Sequence, residues 1–477
     1  MREVVPVQLS KSRYTAGLQC PRRLWLGRHR PDAAAQPDAA RQAIFDMGHE
    51  VGVAAHALFP GGVLVDEPYY RHAAAEARTR ALLADPDVPA IFEAAFTFAG
   101  VRIRVDLLER LSEGRFGLRE VKASTAVKPE HVPDLAVQKF VLRGCGLDVA
   151  SAELVHVDNS YVRGEGPIDW TRFFRRENLG RDVDATLAGV GRRVAEMHEV
   201  LALGEAPDEE PGRGCHQPYD CEFWAFCTAD RSAEWRLSFK RADDVRRARW
   251  VEALRTGRPW VSAGLGRALG VFQPPVWYLD FETISPAIPL LPGTRPYQVV
   301  PVQWSLHQLG CDGSLEHREY LAPAGADPRP ALAESLIDAL RDDDEPIVVW
   351  SSYEDRVLGS LAGPLPEWTI ALADVRGRLL DLHPLVRDHV YHPGFAGSFS
   401  LKSVAPALAP GFGYGDLEGV ADGTAAAAAL LRLQRGQVDE AEVSALRQAL
   451  LTYCRRDTEA LVRVHGALRD LADGTGL

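Results

Sequence analysis

Two acidic residues inside an apolar strand constrain this chain more than any other feature. Trp277-Tyr278-Leu279-Asp280-Phe281-Glu282-Thr283 follows Pro274-Pro275 and has the aromatic, apolar make-up of a short strand. Side chains alternate across a strand, so Asp280 and Glu282 share one face while Leu279 and Phe281 share the other. Two carboxylates side by side on a buried sheet repel each other and lose water. A divalent cation between them removes both penalties. The segment therefore predicts a metal site on a buried sheet.

The N-terminal half carries a second pattern of the same kind. Val101, Ile103 and Val105 alternate with Arg102, Arg104 and Asp106. A turn at Ser112-Glu113-Gly114 follows, and Phe116, Leu118, Glu120 and Lys122 then share one face of a returning strand. With the turn centred on Glu113, residues 106 and 120 become cross-strand partners. Asp106, Glu120 and Lys122 then converge as the Asp…Glu-x-Lys arrangement of metal-dependent nucleases. The carboxylates hold Mg²⁺, and the lysine orients or helps deprotonate the attacking water. A surface hairpin with a salt bridge is the plain alternative. The register, and a following helix from about Pro133 to Gly144 carrying Asp134, Gln138 and Lys139, favour a site. Helical spacing from Ala39 to Phe59 puts His49 and His56 on one face.

Cysteine spacing supplies a third motif. Cys215, Cys221 and Cys227 lie among aromatics, with Trp224 and Phe226 between the last two. Three thiolates rarely close a metal site. Cys145, Cys311 and Cys454 read as ordinary core residues. Cys20, in Leu18-Gln19-Cys20-Pro21-Arg22-Arg23, is the better fourth ligand. Four soft ligands suit an iron–sulfur cluster or Zn²⁺. The spacings are long for a zinc ribbon, which favours [4Fe–4S]. Ser10 to Leu26, with Lys11, Arg13, Arg22 and Arg23, reads as an arm facing nucleic acid.

With 477 residues, two or three domains are expected. A net charge of −12 excludes a basic nucleic-acid coating protein. It does not exclude a nuclease, whose acidic ligands add to the count and whose basic groove is local. Met1 to Leu26 lacks the apolar core of a signal peptide, and no apolar run is long enough to span a membrane. An odd count of seven cysteines fits a reducing compartment, so the expected location is the cytoplasm.

The remaining landmarks fall after residue 228. Ala229 to Gly270 reads as a charged helical connector with Arg241, Arg246, Arg247 and Arg249. Pro296 to Leu306 and Glu345 to Trp350 read as strands, and Ser351-Ser352-Tyr353-Glu354-Asp355 opens a helix. Asp381 ends a strand-like exit. Ser400 is the expected N-cap of a helix that begins beside Lys402. A last helix, about Glu440 to Leu471, places Tyr453 and Asp457 on one face. An aspartate beside its apolar stripe makes sense if that face borders a metal.

On these residues the C-terminal part, about Gln273 to Leu471, resembles the RNase H-like exonuclease fold of DnaQ-type proofreading domains. Asp280 and Glu282 match that family's first motif, and Tyr453 with Asp457 matches its last. Its middle motif is Asn-x-x-Phe-Asp, where this chain has Ser351-Ser352-Tyr353-Glu354. Glu354 is the chosen ligand there and Asp381 the second. The N-terminal part, about Gln8 to Arg231, resembles the RecB/AddB-like PD-(D/E)XK nucleases that carry a four-cysteine cluster, the CRISPR-associated RecB-like exonucleases among them. One cysteine precedes the core and three follow it, as Cys20 and Cys215, Cys221 and Cys227 do. Gln138 fits the glutamine of the next helix, although the aromatic expected four residues later is Leu142. Gly52 and His56 meet a Gly-x3-His motif, with His49 a second choice. The whole chain resembles an uncharacterised bacterial family that joins the two domains.

The resemblance implies an α/β protein in three parts: residues 1–231 as a restriction-endonuclease-like nuclease domain with its cluster, 232–270 as the connector, and 271–477 as a mixed-sheet RNase H-like domain. It implies Mg²⁺ or Mn²⁺ on Asp280, Glu282, Glu354 and Asp457, with Tyr453 orienting water. It also implies metal on Asp106 and Glu120, with His56 beside it and Lys122 next to the water. Lys402, Arg22 and Arg23 are assigned to nucleic acid. The expected activity is phosphodiester hydrolysis on single-stranded DNA ends, in repair, defence or processing. An RNA-processing 3′–5′ exonuclease, or a nucleic-acid-binding protein with one inactive site, are the alternatives.

Overall fold

Positive backbone angles and apolar alternation shape the first sheet of the computed structural model, which describes residues 8–37, 39–240, 242–341, 343–420 and 422–474. Arg241, expected in the connector, lies outside the described residues. The chain divides into two compact units, Met1–Asp230 with Ala287–Pro296, and Arg231–Pro286 with Tyr297–Leu477. Both are mixed α/β.

In the first unit the strands are β1 (Leu9–Ser10), β2 (Val63–Leu64), β3 (Ala90–Phe98), β4 (Val101–Arg110), β5 (Phe116–Lys122), β6 (Val149–Val157) and β7 (Phe174–Asn178). The sheet order is β2-β3-β4-β5-β6-β7, with β1 alongside β4. The β3–β4–β5 run is antiparallel, and β6 joins parallel to β5 after the crossover helix His131–Gly144. That helix buries Leu135, Ala136, Val141 and Leu142 in one core with Ile103, Val105, Leu118 and Leu154. The β4–β5 turn closes through Glu113 and Gly114, both at positive φ. The ladder ends with Leu107 opposite Arg119, so Asp106 and Glu120 are the next residue on each strand.

In the second unit β8 (Trp260–Val261) pairs with β14 (Val390–Tyr391), apart from a five-stranded sheet. That sheet comprises β9 (Val276–Ile284), β10 (Val300–Leu309), β11 (Leu315–Leu321), β12 (Ile347–Val349) and β13 (Leu379–Asp381), in the order β11-β10-β9-β12-β13. The first three are antiparallel, and β12 and β13 run parallel to β9. Alternation along β9 is strict. Trp277, Leu279 and Phe281 enter a core with the helices Arg329–Leu340 and Tyr353–Ala362. Val276 and Tyr278 enter another with Ala460, Leu461, Val464 and Leu468 of the helix Glu440–Ala472.

Two stretches differ from the sequence reading. The strand expected from Pro296 starts at Val300, because Tyr297 takes φ 60 and breaks the extended backbone. Residues 232–270 are not one helical run. They form the helices Ala233–Leu237, Asp244–Thr256 and Leu265–Ala268 with β8 between the last two, and Leu237, Trp250, Ala253 and Leu265 lie in the second unit's core. Among the described residues no helix is long and apolar enough to cross a membrane.

Candidate metal centres

The even face of β9 carries Asp280 and Glu282 toward the helix Glu440–Ala472. That helix answers with Tyr453, Cys454 and Asp457, which its turn keeps on neighbouring positions of one side. One ligand atom each from Asp280, Glu282 and Cys454 lie within 4.8 Å of one another. Asp457 is buried, and its charge acts on both Asp280 and Glu282. Its Oδ1 accepts a 2.6 Å hydrogen bond from the phenol of Tyr414. Glu354 comes from the first turn of Tyr353–Ala362, whose start is fixed by the Tyr353 N–H donating to Ser351 Oγ at 3.1 Å. Glu354 is 4% exposed, its charge acts on Asp280, and its Oε2 has no hydrogen-bond partner.

Burial pushes the pKa of Asp280 and of Glu282 well above the usual carboxylate range, and Asp457 adds to both shifts. Burial likewise pushes Glu354 up to about 7. Asp457 is raised by burial and pulled back by Tyr414, Lys402 and Tyr453. Such a nest of acids needs protons or a cation to stay folded in. The carboxylates of Asp280, Glu282 and Asp457 suit a divalent cation, and the orphaned oxygen of Glu354 lies buried near them, with the Cys454 thiol as a further donor. The Tyr453 phenol is raised by burial and then by Asp457, so it stays protonated.

Asp381 ends β13 and accepts from the His383 N–H at 3.0 Å, capping the helix Leu382–His389. It reaches Glu354 through its charge. Lys402 is half-buried beside the acidic cluster. Its Nζ lies 4.6 Å from the ring centre of Tyr453 and 5.4 Å from that of Tyr414, and its charge lowers Glu282 and Asp457.

The first unit gathers its charged groups around Glu120. Lys122 Nζ lies 2.6 Å from Glu120 Oε1 and 2.9 Å from Asp134 Oδ2. Gln138 Nε2 donates to Glu120 Oε2 at 2.7 Å, while its own buried Oε1 has no partner. Asp106 Oδ2 accepts from the Val121 N–H at 2.8 Å. A cavity of about 670 Å³ is lined by His49, Gly52, His56, Asp106, Glu120 and Lys122. His56 stacks on Phe92 with ring centres 4.0 Å apart, and burial lowers its pKa, which keeps the imidazole neutral as a ligand requires.

Lys11, Asp134 and Glu93 also take part here, although the sequence assigns none of them a role at the metal. Lys11 Nζ lies 2.7 Å from Glu120 Oε1 and 3.6 Å from Asp134 Oδ1. Asp134 pairs with both lysines. Glu93 lines the same cavity at φ 56, a strained backbone for a residue with a side chain. Burial works against the charge of Glu120, but Lys11 and Lys122 outweigh it, and its pKa falls below the usual range. Burial and then Glu120 push Asp106 up to about 7.

Cys20, Cys215, Cys221 and Cys227 all line one cavity of about 180 Å³. Cys20 caps the helix Pro21–His29, its sulfur accepting from the Arg23 N–H at 3.4 Å. Cys215 Sγ accepts from the Gly212 N–H at 3.5 Å. Burial pushes the Cys221 thiol up to about 11 and raises Cys20 and Cys227, so bound cations are what would hold these groups as thiolates.

Arg22 and Arg23, both half-buried, line the same cavity. Arg23 pairs with Glu222 at 2.7 Å, and Arg22 reaches the Glu209 carbonyl at 3.5 Å. Trp224 tilts against His216 with ring centres 4.5 Å apart, and Phe226 is exposed under Arg30. Cys145 and Cys311 are exposed rather than core, because each falls at the end of its element; only Cys454 is buried.

The fold and sites thus define a two-unit mixed α/β protein with a buried acidic cluster in each unit. A family profile described as "Domain of unknown function (DUF2779)" matches residues 277–400. No curated protein matches the chain. Among solved structures, "Crystal structure of SSO0001" is similar at 15% identity with a TM-score of 0.23, covering 49% of this chain and 90% of its own.

Proposed function

We propose that the chain is a metal-dependent nuclease with two hydrolytic sites, acting exonucleolytically on single-stranded DNA. The observation that carries it is the half-buried Asp280, on which the charges of the buried Glu282, Glu354 and Asp457 all act, with Tyr453 beside Asp457. Only a bound cation or protons balance such a set. The antiparallel β9–β11 run followed by parallel β12 and β13 supports an RNase H-like reading of the second unit. The β3–β4–β5 run with its crossover helix to β6 supports a PD-(D/E)XK reading of the first.

Bound Mg²⁺ or Mn²⁺ would supply an activated water and neutralise charge on the phosphoryl oxygens. Asp280, Glu282, Glu354 and Asp457 would hold it in the second unit, and Asp106 and Glu120, with His56 nearby, in the first. The chain's own groups then do the rest. Tyr453, held protonated, orients a water rather than taking its proton. Lys122 also stays charged, since Glu120 and Asp134 outweigh its burial, so it donates to water or phosphate. Gln138 fixes Glu120. A cavity of about 760 Å³ beside Asp106 is lined by Arg13, Arg28, Arg102 and Arg104, a local positive surface for a phosphate backbone despite the acidic whole. The four cysteines would hold a [4Fe–4S] cluster, with Zn²⁺ the alternative, as a clamp between Cys20 and the segment 215–227.

Labelled single-stranded DNA with Mg²⁺ or Mn²⁺ tests this, using Asp457→Ala, Lys122→Ala and the double variant beside matched RNA. Degradation is expected to fall in two stages and to vanish in the double variant. Unchanged cleavage in both single variants and the double ends the proposal, and faster cleavage of the RNA moves it to RNA.

A further inference from the structure

Cys454 is the one group in the second unit's acidic site with no place in a hard-ion centre. We propose that Asp280, Glu282 and Cys454 form a mixed carboxylate–thiolate site for a borderline-soft divalent cation of the Zn²⁺ or Co²⁺ type. The inference rests on the metal-centre reading above and specifies which ions that centre accepts.

The geometry supports a ligand rather than a filler. Cys454 Sγ lies 3.7 Å from Asp280 Oδ2 and 3.9 Å from the Asp280 carbonyl oxygen. A tetrahedral zinc with ordinary Zn–O and Zn–S lengths sets its oxygen and sulfur about 3.5 Å apart. Along the same helix Leu461, Val464 and Leu468 are buried in the apolar core, and the buried hydroxyl of Thr458, one turn on from Cys454, is engaged by Ser305 and His307. Cys454 instead faces two carboxylates, against which a thiol is a weak hydrogen-bond donor. The separate observation is Glu354: an orphaned carboxylate oxygen, buried, whose charge bears on the same Asp280. It leaves an oxygen donor available to complete a coordination shell.

The chemistry follows from ligand softness. Mg²⁺ takes six oxygens and does not recruit sulfur, whereas Zn²⁺ and Co²⁺ accept thiolate readily. As the metal–sulfur bond forms, the thiol proton leaves to solvent, and no electron transfer is involved. A Zn²⁺-class ion would therefore hold this site against Mg²⁺ by an extra bond that Mg²⁺ cannot use. Tyr453 and Asp457, on the same face of the helix, would stay in place around either ion.

Co²⁺ is the probe, added to the full-length chain, to Cys454→Ser and to Asp280→Asn, with bound cobalt measured by equilibrium dialysis. The difference spectrum between wild type and Cys454→Ser cancels whatever the four clustered cysteines contribute. The expected result is a near-ultraviolet sulfur-to-cobalt charge-transfer band in that difference, lost in Asp280→Asn and erased by added Zn²⁺. Equal melting temperatures of the three metal-free chains show that each variant is folded. Cobalt bound equally by wild type and Cys454→Ser, lost in Asp280→Asn, with no band in the difference, overturns the sulfur ligand and leaves the metal centre standing. Equal cobalt in all three chains with no band overturns the metal centre itself.

Discussion

Tyr414 and Asp457 are 43 residues apart in the chain, and their side chains meet at 2.6 Å, the phenol donating to Oδ1. This bond favours the charged carboxylate against burial, which pushes the other way. A hydrogen bond to a charged group contributes about 1.5–3 kcal/mol. Tyr414→Phe is therefore expected to weaken Mn²⁺ binding roughly tenfold, more at low pH than at high, with little change in fold. Calorimetric titration at two pH values checks it; equal affinity for both proteins would remove Tyr414 from the site.

Glu354 gives the acidic cluster a pH signature. Its folded pKa, about 7, lies above the unfolded value of 4.5. The stability it contributes is fully present below the unfolded value and is lost as pH rises through the folded one. Buried histidines such as His131 and His465, both lowered to about 4 by burial, act oppositely below their ordinary range. The clean quantity is thus wild type minus Glu354→Gln. Without metal that difference in melting temperature is expected to decline from about pH 5 to about pH 8, and saturating Mn²⁺ should cancel the decline. A difference that rises with pH would contradict the assignment.

Lys11 and Lys122 share one oxygen of Glu120. Removing one partner of a buried pair costs about 3–5 kcal/mol when the other charge is stranded. Here Lys122 and Gln138 remain, so Lys11→Ala should cost nearer 2 kcal/mol of the first unit's stability, read by urea unfolding at neutral pH. Added Mg²⁺ is expected to recover most of that loss. Wild-type stability in the variant would make Lys11 a bystander.

The cysteine cavity makes a compositional prediction. Protein purified without oxygen should carry iron and acid-labile sulfide, and Cys221→Ser should lose both along with much of its thermal stability. Stoichiometric zinc without iron would replace the cluster by a single ion.

Local pattern was enough for some of this arrangement and useless for the rest. The faces of β9 follow from period-two alternation, and the Asp106–Glu120 relation from the count across a hairpin turn, since both depend on residues close in sequence. Tyr453 and Asp457 share a face because a helix turn puts them there. Lys11, 109 residues from Glu120, could be found only once the chain had folded. The same holds for Tyr414, and for Cys454, which reads as one more apolar helix residue until β9 lies beside it. The partners of Arg23 and Lys402, Glu222 at 199 residues' distance and the ring of Tyr453, are likewise visible only in the folded chain.

The lysines of the first unit have one more effect. Lys11 and Lys122 act as built-in counter-ions to Glu120 and Asp134, so part of that unit's acidic charge is balanced without metal. In the second unit Lys402 acts on Glu282 and Asp457 and Arg356 on Glu354, while Asp280 faces three repelling acids. Scarce divalent ions would accordingly fill the second unit first, where relief of repulsion is greatest, and the first unit later, where an ammonium must give way. One chain would then report two different thresholds of metal supply.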